Sequence, residues 1–533
     1  MLLLLLACTV EPAPPAVPPE QRDTAGDTDV DTLPACADGL PARAFDPAGT
    51  GADYLGVAPD FTLPTQSGDW SLAEHWTGCD SYLFLGIDAD DGYTGLLLAE
   101  NGKKLFTQGP ANVHYFFFAT ARATEAEAAQ AGIAAVLEEG LASLNADAEA
   151  WWRERVHVVT STTQQTDGWV GALLSAYQYP TFGIDRAQTI REVGYLANPG
   201  NGWTTVEWPA LGYEAEHYNF EAARQEVLDA QGATVVRLWD NADTLSDFVE
   251  TVQVDLPDAA TLAAFNRVDV DVTLGCAGPW YETCPPWDGA DYLWVCDNDD
   301  PATEADESAD TCQEMARLIT AYWRGGRWVM DGRTQLSRLL DGGAHTFRYT
   351  ATQARIVTVD LRFYTEAAAP RPFAQEQLWW DASTLWTAEY DGLHALSTFT
   401  PPADATRVEL VTIVTGHGSD SEGCGEFCNL EQTWSLNGAV PLTQDAPMAG
   451  DATGCIEQIG TNGQVPNQAG TWGYGRNGWC PGMGVAPKVW DVTDEVTPGA
   501  ANTLAYQGLY EDAPYVTNSD GNVDVGIWLV YSR

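Results

Sequence analysis

Two kinds of hydrophobic pattern follow one another along the chain. Between Cys36 and Asp229 the apolar residues come in continuous runs, Tyr82-Leu-Phe-Leu-Gly86 and His114-Tyr-Phe-Phe-Phe118. Such runs have the length of strands buried on both faces. The Ala- and Glu-rich stretch Thr124 to Leu144 between later apolar segments predicts a helix. From about Ala233 the period falls to two: Val252 to Leu256, Val268 to Leu274 and Arg355 to Phe363 alternate apolar and polar positions, separated by Gly, Pro and Asp turns. That is the pattern of half-buried strands in antiparallel sandwiches. A second strand-rich block begins near Ala374 and closes with Gly526 to Tyr531, after the short linker Ala367 to Pro372. The prediction is a multidomain chain: an α/β domain over 36–229, then two antiparallel β-sandwiches over 233–366 and 373–533. No tandem repeat of solenoid length is present.

Length and charge narrow the functions. A chain of 533 residues exceeds what one core serves. Its 76 acidic against 25 basic residues give a formal net charge of -51. A polyanion of that strength is repelled by phosphate backbones, which argues against nucleic-acid binding. Leu2 to Leu6 followed by Ala7-Cys8 resembles a bacterial lipobox, which implies removal of residues 1–7, a lipid on Cys8, and export to a membrane-anchored periplasmic or surface location. Residues 8–35, rich in Pro, Asp and Glu, read as an acidic tether. No later stretch holds eighteen apolar residues in a row.

Eleven cysteines leave ten if Cys8 carries lipid. They fall into neighbouring groups: Cys276 with Cys284, Cys296 with Cys312, Cys424 with Cys428, Cys455 with Cys480, leaving Cys36 and Cys79. An oxidising compartment favours disulfides. A zinc or redox reading of Cys424-Gly-Glu-Phe-Cys428 is the alternative, but no histidine cluster lies near it in sequence.

In the first segment, Gly56-Val-Ala-Pro-Asp-Phe-Thr-Leu-Pro64 and Gly68-Asp-Trp-Ser-Leu72 resemble the opening of a thioredoxin-like, peroxiredoxin-type domain. Tyr179-Pro-Thr-Phe-Gly-Ile-Asp-Arg186 resembles the strand after that fold's cis-proline, which makes Pro180 a candidate cis residue. The place of the family's redox cysteines reads Ile87-Asp-Ala-Asp-Asp91, without a thiol. Thiol chemistry needs an attacking thiolate and a resolving partner, so this domain is expected to be redox-inactive, and Cys79 is expected to be structural.

The C-terminal landmarks are more specific. They are Cys276-Ala-Gly-Pro-Trp-Tyr-Glu-Thr-Cys284-Pro-Pro-Trp287-Asp288, Glu314-Met-Ala-Arg317-Leu-Ile-Thr-Ala-Tyr322-Trp323, Gly416-His-Gly418 with Cys424-Gly-Glu426-Phe-Cys428, and Gly475-Arg476-Asn-Gly-Trp479-Cys480-Pro-Gly-Met483. In this order over residues 233–533 they resemble the peptide-N-glycosidase F family. The resemblance implies two packed eight-stranded jelly rolls with the site in the cleft between them. It also implies disulfides Cys276–Cys284, Cys424–Cys428 and Cys455–Cys480, while Cys296–Cys312 rests on proximity and Cys36–Cys79 on elimination. By the same resemblance Asp288 is the principal catalytic carboxylate, Glu426 the second acid and Arg476 a partner for carboxylate or substrate. Trp287, Trp479 and His417 are candidate substrate contacts.

The implied reaction is hydrolysis of the amide joining Asn to the first GlcNAc of N-linked glycans. It requires an activated water and a proton for the departing glycosylamine, both within reach of positioned carboxylates. Expected partners are N-glycosylated proteins or glycopeptides; no cofactor, no metal and a monomer are expected. Besides His417, which stands where the family has a tryptophan, the chain departs from the family pattern in three further places. Ala351 occupies the position of a third acid, Gln353 that of a tryptophan, and Gly289 that of an arginine. The competing expectation is therefore a weak or inactive glycan- or protein-binding lipoprotein on the same scaffold. Kinship of the fold with copper hydroxylases fails for want of any His-x-His among seven histidines. The acidic loop Asp297 to Asp310 lacks EF-hand spacing and reads as a solvated insertion.

Overall fold

The structure, a computed structural model, describes residues 35–533 except 50, 52, 89–96, 99–101, 121–124, 177–179, 197–207, 245–248, 279–282, 298–311, 395, 420–423 and 515–519. The leader, Cys8, nearly all of the tether, the acidic loop and the peptide bond entering Pro180 lie outside the described residues. The described chain forms two compact units, 1–86 with 106–191, and 87–105 with 192–533.

The first unit is built on a five-stranded sheet in the order Val156–Val158, Val113–Ala119, Ser81–Ile87, Thr181–Ile184, Ile190–Arg191. Val113–Ala119 runs parallel to Val156–Val158, while Thr181–Ile184 is antiparallel to both of its neighbours. Every residue of Ser81–Ile87 and Val113–Ala119 is buried, which is why these strands read as unbroken apolar runs. Phe84 stacks between Phe116 and Phe182 at 4.8 and 4.2 Å. The helix expected over 124–144 is formed by Ala126–Ala142. Cys36 and Cys79 are joined in a disulfide.

The second unit carries two sandwiches of eight strands each. In the first, one sheet runs Gly326–Asp331, Arg267–Gly275, Ile356–Tyr364, Thr234–Asp243. The facing sheet runs Gln313–Ile319, Ala290–Cys296, Gly343–Thr350, Val249–Leu256, with Met483–Gly484 added at its edge from far along the chain. In the second sandwich the sheets are Pro372–Leu385, Asn522–Ser532, Arg407–His417, Lys488–Asp491, and Ser397–Phe399, Asn502–Tyr510, Leu430–Leu436, Leu442–Gln444. Ile356–Tyr364 buries every second residue, as its sequence period predicts. Asn522–Ser532 is buried on both faces. Its alternate residues Trp528 and Val530 leave the second core and pack on Ile319 of the first sandwich, together with Val411 and Ile413. The buried pair Glu314–Arg317 fastens the same seam: Arg317 donates to Glu314 at 2.9 Å, to the Thr415 hydroxyl at 2.7 Å and to the Asp524 carbonyl at 3.0 Å.

One boundary moves. The α/β domain was expected to run to residue 229, yet 192–230 belongs to the second unit. The reason is the helix Tyr213–Ala230, whose buried Glu214 pairs with Arg324 and Asn467 of the sandwiches rather than facing solvent. Sequence period reveals that a helix face is buried, but not against which neighbour.

Candidate active site

Asp288 follows the staple Cys276–Cys284 and two prolines, and its backbone is held from three sides. The Thr320 hydroxyl donates to the Trp287 carbonyl at 2.8 Å and accepts from the Gly289 N–H at 3.0 Å. Gln353 brackets Trp287, accepting from its N–H at 3.2 Å and donating to its carbonyl at 2.7 Å. Trp323 N–H donates to the Pro285 carbonyl. A carboxylate on such a loop loses little conformational freedom when it acts.

Glu426 comes from the other sandwich, between Cys424 and Cys428, which are disulfide-bonded across four residues. Gly425 has φ +101°, and a Cβ there would lie 2.6 Å from Gly521 Cα, so only glycine fits this turn. The Glu426 N–H donates to the Gly418 carbonyl at 2.8 Å, and its carbonyl accepts from Asn477 N–H at 2.7 Å. The disulfide Cys455–Cys480 closes the loop that bears Arg476. That side chain is fully buried, with its guanidinium shared among the Thr471 carbonyl and hydroxyl, each at 2.8 Å, and the Tyr474 carbonyl.

These three residues meet. Arg476 Nε donates to Glu426 at 3.0 Å and its Nη2 lies 3.4 Å from Asp288, so one buried cation bridges a carboxylate from each sandwich. Tyr322 completes the group: its hydroxyl donates to the same Asp288 oxygen at 2.5 Å and lies 3.3 Å from Arg476 Nη2. Burial pushes both carboxyls upward. Asp288 is raised by desolvation against the pull of Arg476 and Tyr322. Glu426, desolvated and facing the Asp288 charge with Arg476 in opposition, is pushed up to about 7. The phenol's hydrogen bond to Asp288 favours the ionised form of that carboxyl. Among the described residues no group of three His, Cys, Asp or Glu is placed to hold a metal ion.

The remaining candidates divide. Trp287 is two-thirds exposed beside Asp288 and is free to meet a ligand. Trp479 is not: it is 1% exposed, donates to the Gly416 carbonyl at 2.6 Å and lies under the Arg476 guanidinium at 5.1 Å. The expectation that it faces a sugar is corrected; its ring supports Arg476 from inside the seam between the sandwiches. His417 stacks on Trp479 at 5.1 Å, bonds the Thr415 hydroxyl at 2.8 Å and is held neutral by burial, with its pKa pushed down to about 4. All five cysteine pairs are joined, including Cys296–Cys312.

Comparison with known proteins bears on what this constellation is. Residues 388–533 match the family model described as "Peptide-N-glycosidase F, C terminal". The chain is 25% identical over 266 residues to peptide-N(4)-(N-acetyl-beta-D-glucosaminyl)asparagine amidase F of Elizabethkingia miricola, covering 45% of this chain and 69% of that relative. Residues 388–533 thus carry the C-terminal domain of the peptide-N-glycosidase F family. Solved structures similar to it include PNGase F from Flavobacterium meningosepticum, at 18% identity, 56% of this chain, 96% of that chain and a TM-score of 0.44. PNGF-II follows at 12% identity, 66% of this chain, 74% of that chain and a TM-score of 0.43.

Within this site the departures from that family's pattern acquire physical reasons. A Cβ on Gly289 would lie 1.7 Å from the Thr352 hydroxyl, so no larger residue fits there. Thr352 is itself fixed, donating from N–H and hydroxyl to the buried Asp291 at 2.8 and 3.1 Å, next to the buried Ala351. Sequence reasoning singled out neither Tyr322 nor Thr471 as a site residue. Tyr322 stood in a matched segment beside Trp323, which is the signal that pointed to it; Thr471 acts partly through a loop carbonyl, which leaves no signal.

Proposed function

We propose that this protein is an amidase that hydrolyses the bond between asparagine and the first GlcNAc of N-linked glycans. The observation that carries the reading is the single buried Arg476 joined to Asp288 and Glu426 from opposite sandwiches. In this mechanism ionised Asp288 takes a proton from water, whose oxygen attacks the side-chain amide carbon. Arg476 and Tyr322 keep Asp288 anionic and oriented. As the tetrahedral centre collapses the C–N bond breaks, and protonated Glu426 gives its proton to the leaving nitrogen, leaving aspartate and a glycosylamine. Trp287 offers an exposed ring to the sugar or peptide beside that bond. Expected substrates are glycoproteins and glycopeptides.

Ala351 and Gln353 favour a second reading, a glycan-binding protein with weak or no turnover, because they remove an acid and an aromatic from the family's pattern. Treating a denatured N-glycoprotein with the wild-type chain and with Asp288→Asn separates the two. Loss of glycan with the wild type alone supports hydrolysis; retention of glycan by both, with the glycoprotein bound, supports the second reading.

The mixed sheet and flanking helices of the first unit, with Cys79 tied to Cys36, support a thioredoxin-like domain without thiol chemistry. Export and lipid attachment at Cys8 are proposed on the Leu-Ala-Cys leader; five disulfides suit that destination.

A further inference from the structure

Behind the carboxylates, two supports of the site lean on a segment outside the sandwiches. Tyr322 receives its backbone anchor from Gln468, whose side-chain oxygen accepts from the Tyr322 N–H at 2.8 Å. Two residues on, Arg324 turns inward and donates to Glu214 at 2.7 and 3.3 Å and to the Glu192 carbonyl at 3.1 Å. Arg324 also donates to the Pro466 carbonyl. Glu214 is fully buried in the first turn of the helix Tyr213–Ala230, where it also accepts from Asn467 at 3.2 Å and from the Gly194 N–H at 3.1 Å. Asn467 holds a left-handed φ of +49° and spans to the Ala210 carbonyl at 3.2 Å. A Cβ on Gly194 would lie 1.9 Å from the Asn467 carbonyl oxygen, so the segment and the loop are pressed together.

The same first turn touches the Arg476 side of the site. Tyr213 packs edge-on against the buried Trp472 at 6.2 Å, and Trp472 follows Thr471, whose carbonyl and hydroxyl hold the guanidinium. Lower on the helix, Phe220 and Glu216 close on Gly463 and Gly460 just ahead of that loop, where a Cβ would lie 2.2 Å from Phe220 and 2.6 Å from Glu216. One helix turn thus braces the Tyr322 turn of the first sandwich and the 464–476 loop of the second.

We infer that residues 192–196 and 208–230 brace the amidase site as a strap, with Glu214 as a positioning residue that acts through Arg324 and Asn467 on Tyr322 and Arg476. The inference rests on the amidase reading only for its kinetic consequence. A buried carboxylate with four donors from three separate segments fixes all of them at once, and its loss frees each. A misplacement near 1 Å at reacting groups costs about a hundred-fold in rate.

The test uses the full chain with Glu214→Gln, the milder Arg324→Lys, and Asp229→Asn on the exposed last turn as control. Glu214→Gln is expected to lower kcat about ten-fold with KM within about two-fold, and to cost clearly less in a Tyr322→Phe background than in the wild type. Full additivity with Tyr322→Phe, or unchanged kcat, overturns the inference. Amide hydrogen exchange supplies an arm that needs no glycan. Faster exchange confined to 318–326 and 464–477 in Glu214→Gln or Arg324→Lys supports the strap even where the wild-type chain releases no glycan, in which case the amidase reading alone fails. Unchanged exchange in both segments overturns the strap whatever the activity.

Discussion

Removing the Tyr322 hydroxyl isolates one interaction at the centre of the site. Tyr322→Phe keeps the ring, which lies beside Gly470 and would be 3.5 Å from a Cβ placed there, and deletes only the donor to Asp288 at 2.5 Å. A hydrogen bond to a charged acceptor contributes about 1.5–3 kcal/mol. Asp288 retains 16% side-chain exposure, so water partly replaces the donor and the lower end of that range applies. Since about 1.4 kcal/mol corresponds to one pH unit of ionisation, the acidic limb of kcat/KM moves upward by about one pH unit. The sign follows from the state stabilised: the phenol favours the carboxylate, so without it Asp288 takes up a proton at higher pH and the base is lost earlier as pH falls. On the plateau the fall is expected to stay within about ten-fold, because Arg476 still orients the carboxylate. The assay is initial-rate release from a dansylated glycopeptide across the pH range, with thermal melting as the fold control. An acidic limb that stays in place in a folded Tyr322→Phe refutes the assignment of Asp288 as base.

Glu426, with its carboxyl pushed up to about 7, sets the other limb: kcat/KM is expected to decline as pH rises through about 7, and Glu426→Gln to abolish that limb together with most of the activity. The same group binds more protons folded than unfolded between its ordinary value and about 7, so it costs stability as pH rises through that window; melting of Glu426→Gln should gain on wild type at pH 8 and not at pH 4. Trp287→Ala should raise KM while leaving the melting temperature nearly unchanged, a ΔΔG within about 0.5 kcal/mol, because the ring is exposed. Gly289→Ala should lower stability by about 1–3 kcal/mol in a denaturant titration, since its Cβ meets Thr352 at 1.7 Å. Intact-mass analysis of membrane-extracted protein should find lipid on Cys8; an unmodified leader cysteine contradicts the lipoprotein proposal.

How much of this was legible in the chain depends on how locally each feature is encoded. The strands over 268–274 and 355–363 were visible because one face of each is buried, and the period of two records that directly. Asp288, Glu426 and Arg476 each stand in a short segment with its own cysteine, proline or glycine constraint, so a resemblance could find them one by one. Trp479 shows the limit of such reading. A tryptophan beside Cys480 has the same sequence whether it faces a sugar or fills the seam between sandwiches, and only the 2.6 Å bond to Gly416 decides. The carbonyls of Thr471 and Tyr474 that seat Arg476 were invisible for a different reason, since any residue supplies a carbonyl. The helix over 213–230 went unread, and the donors to its buried Glu214 stand at Gly194, Arg324 and Asn467, between 20 and 253 residues away.

The central claim is that Asp288 directs water to the asparagine amide carbon while Glu426 protonates the departing nitrogen. Digestion of an N-glycopeptide in heavy-oxygen water, read by mass spectrometry of the peptide, tests it most directly. The account predicts that the wild-type chain converts the glycosylated asparagine to aspartate carrying one heavy oxygen in its side chain, and that Asp288→Asn leaves the glycopeptide intact. A peptide that keeps its asparagine, or one that retains the first GlcNAc after the rest of the glycan has gone, would contradict it.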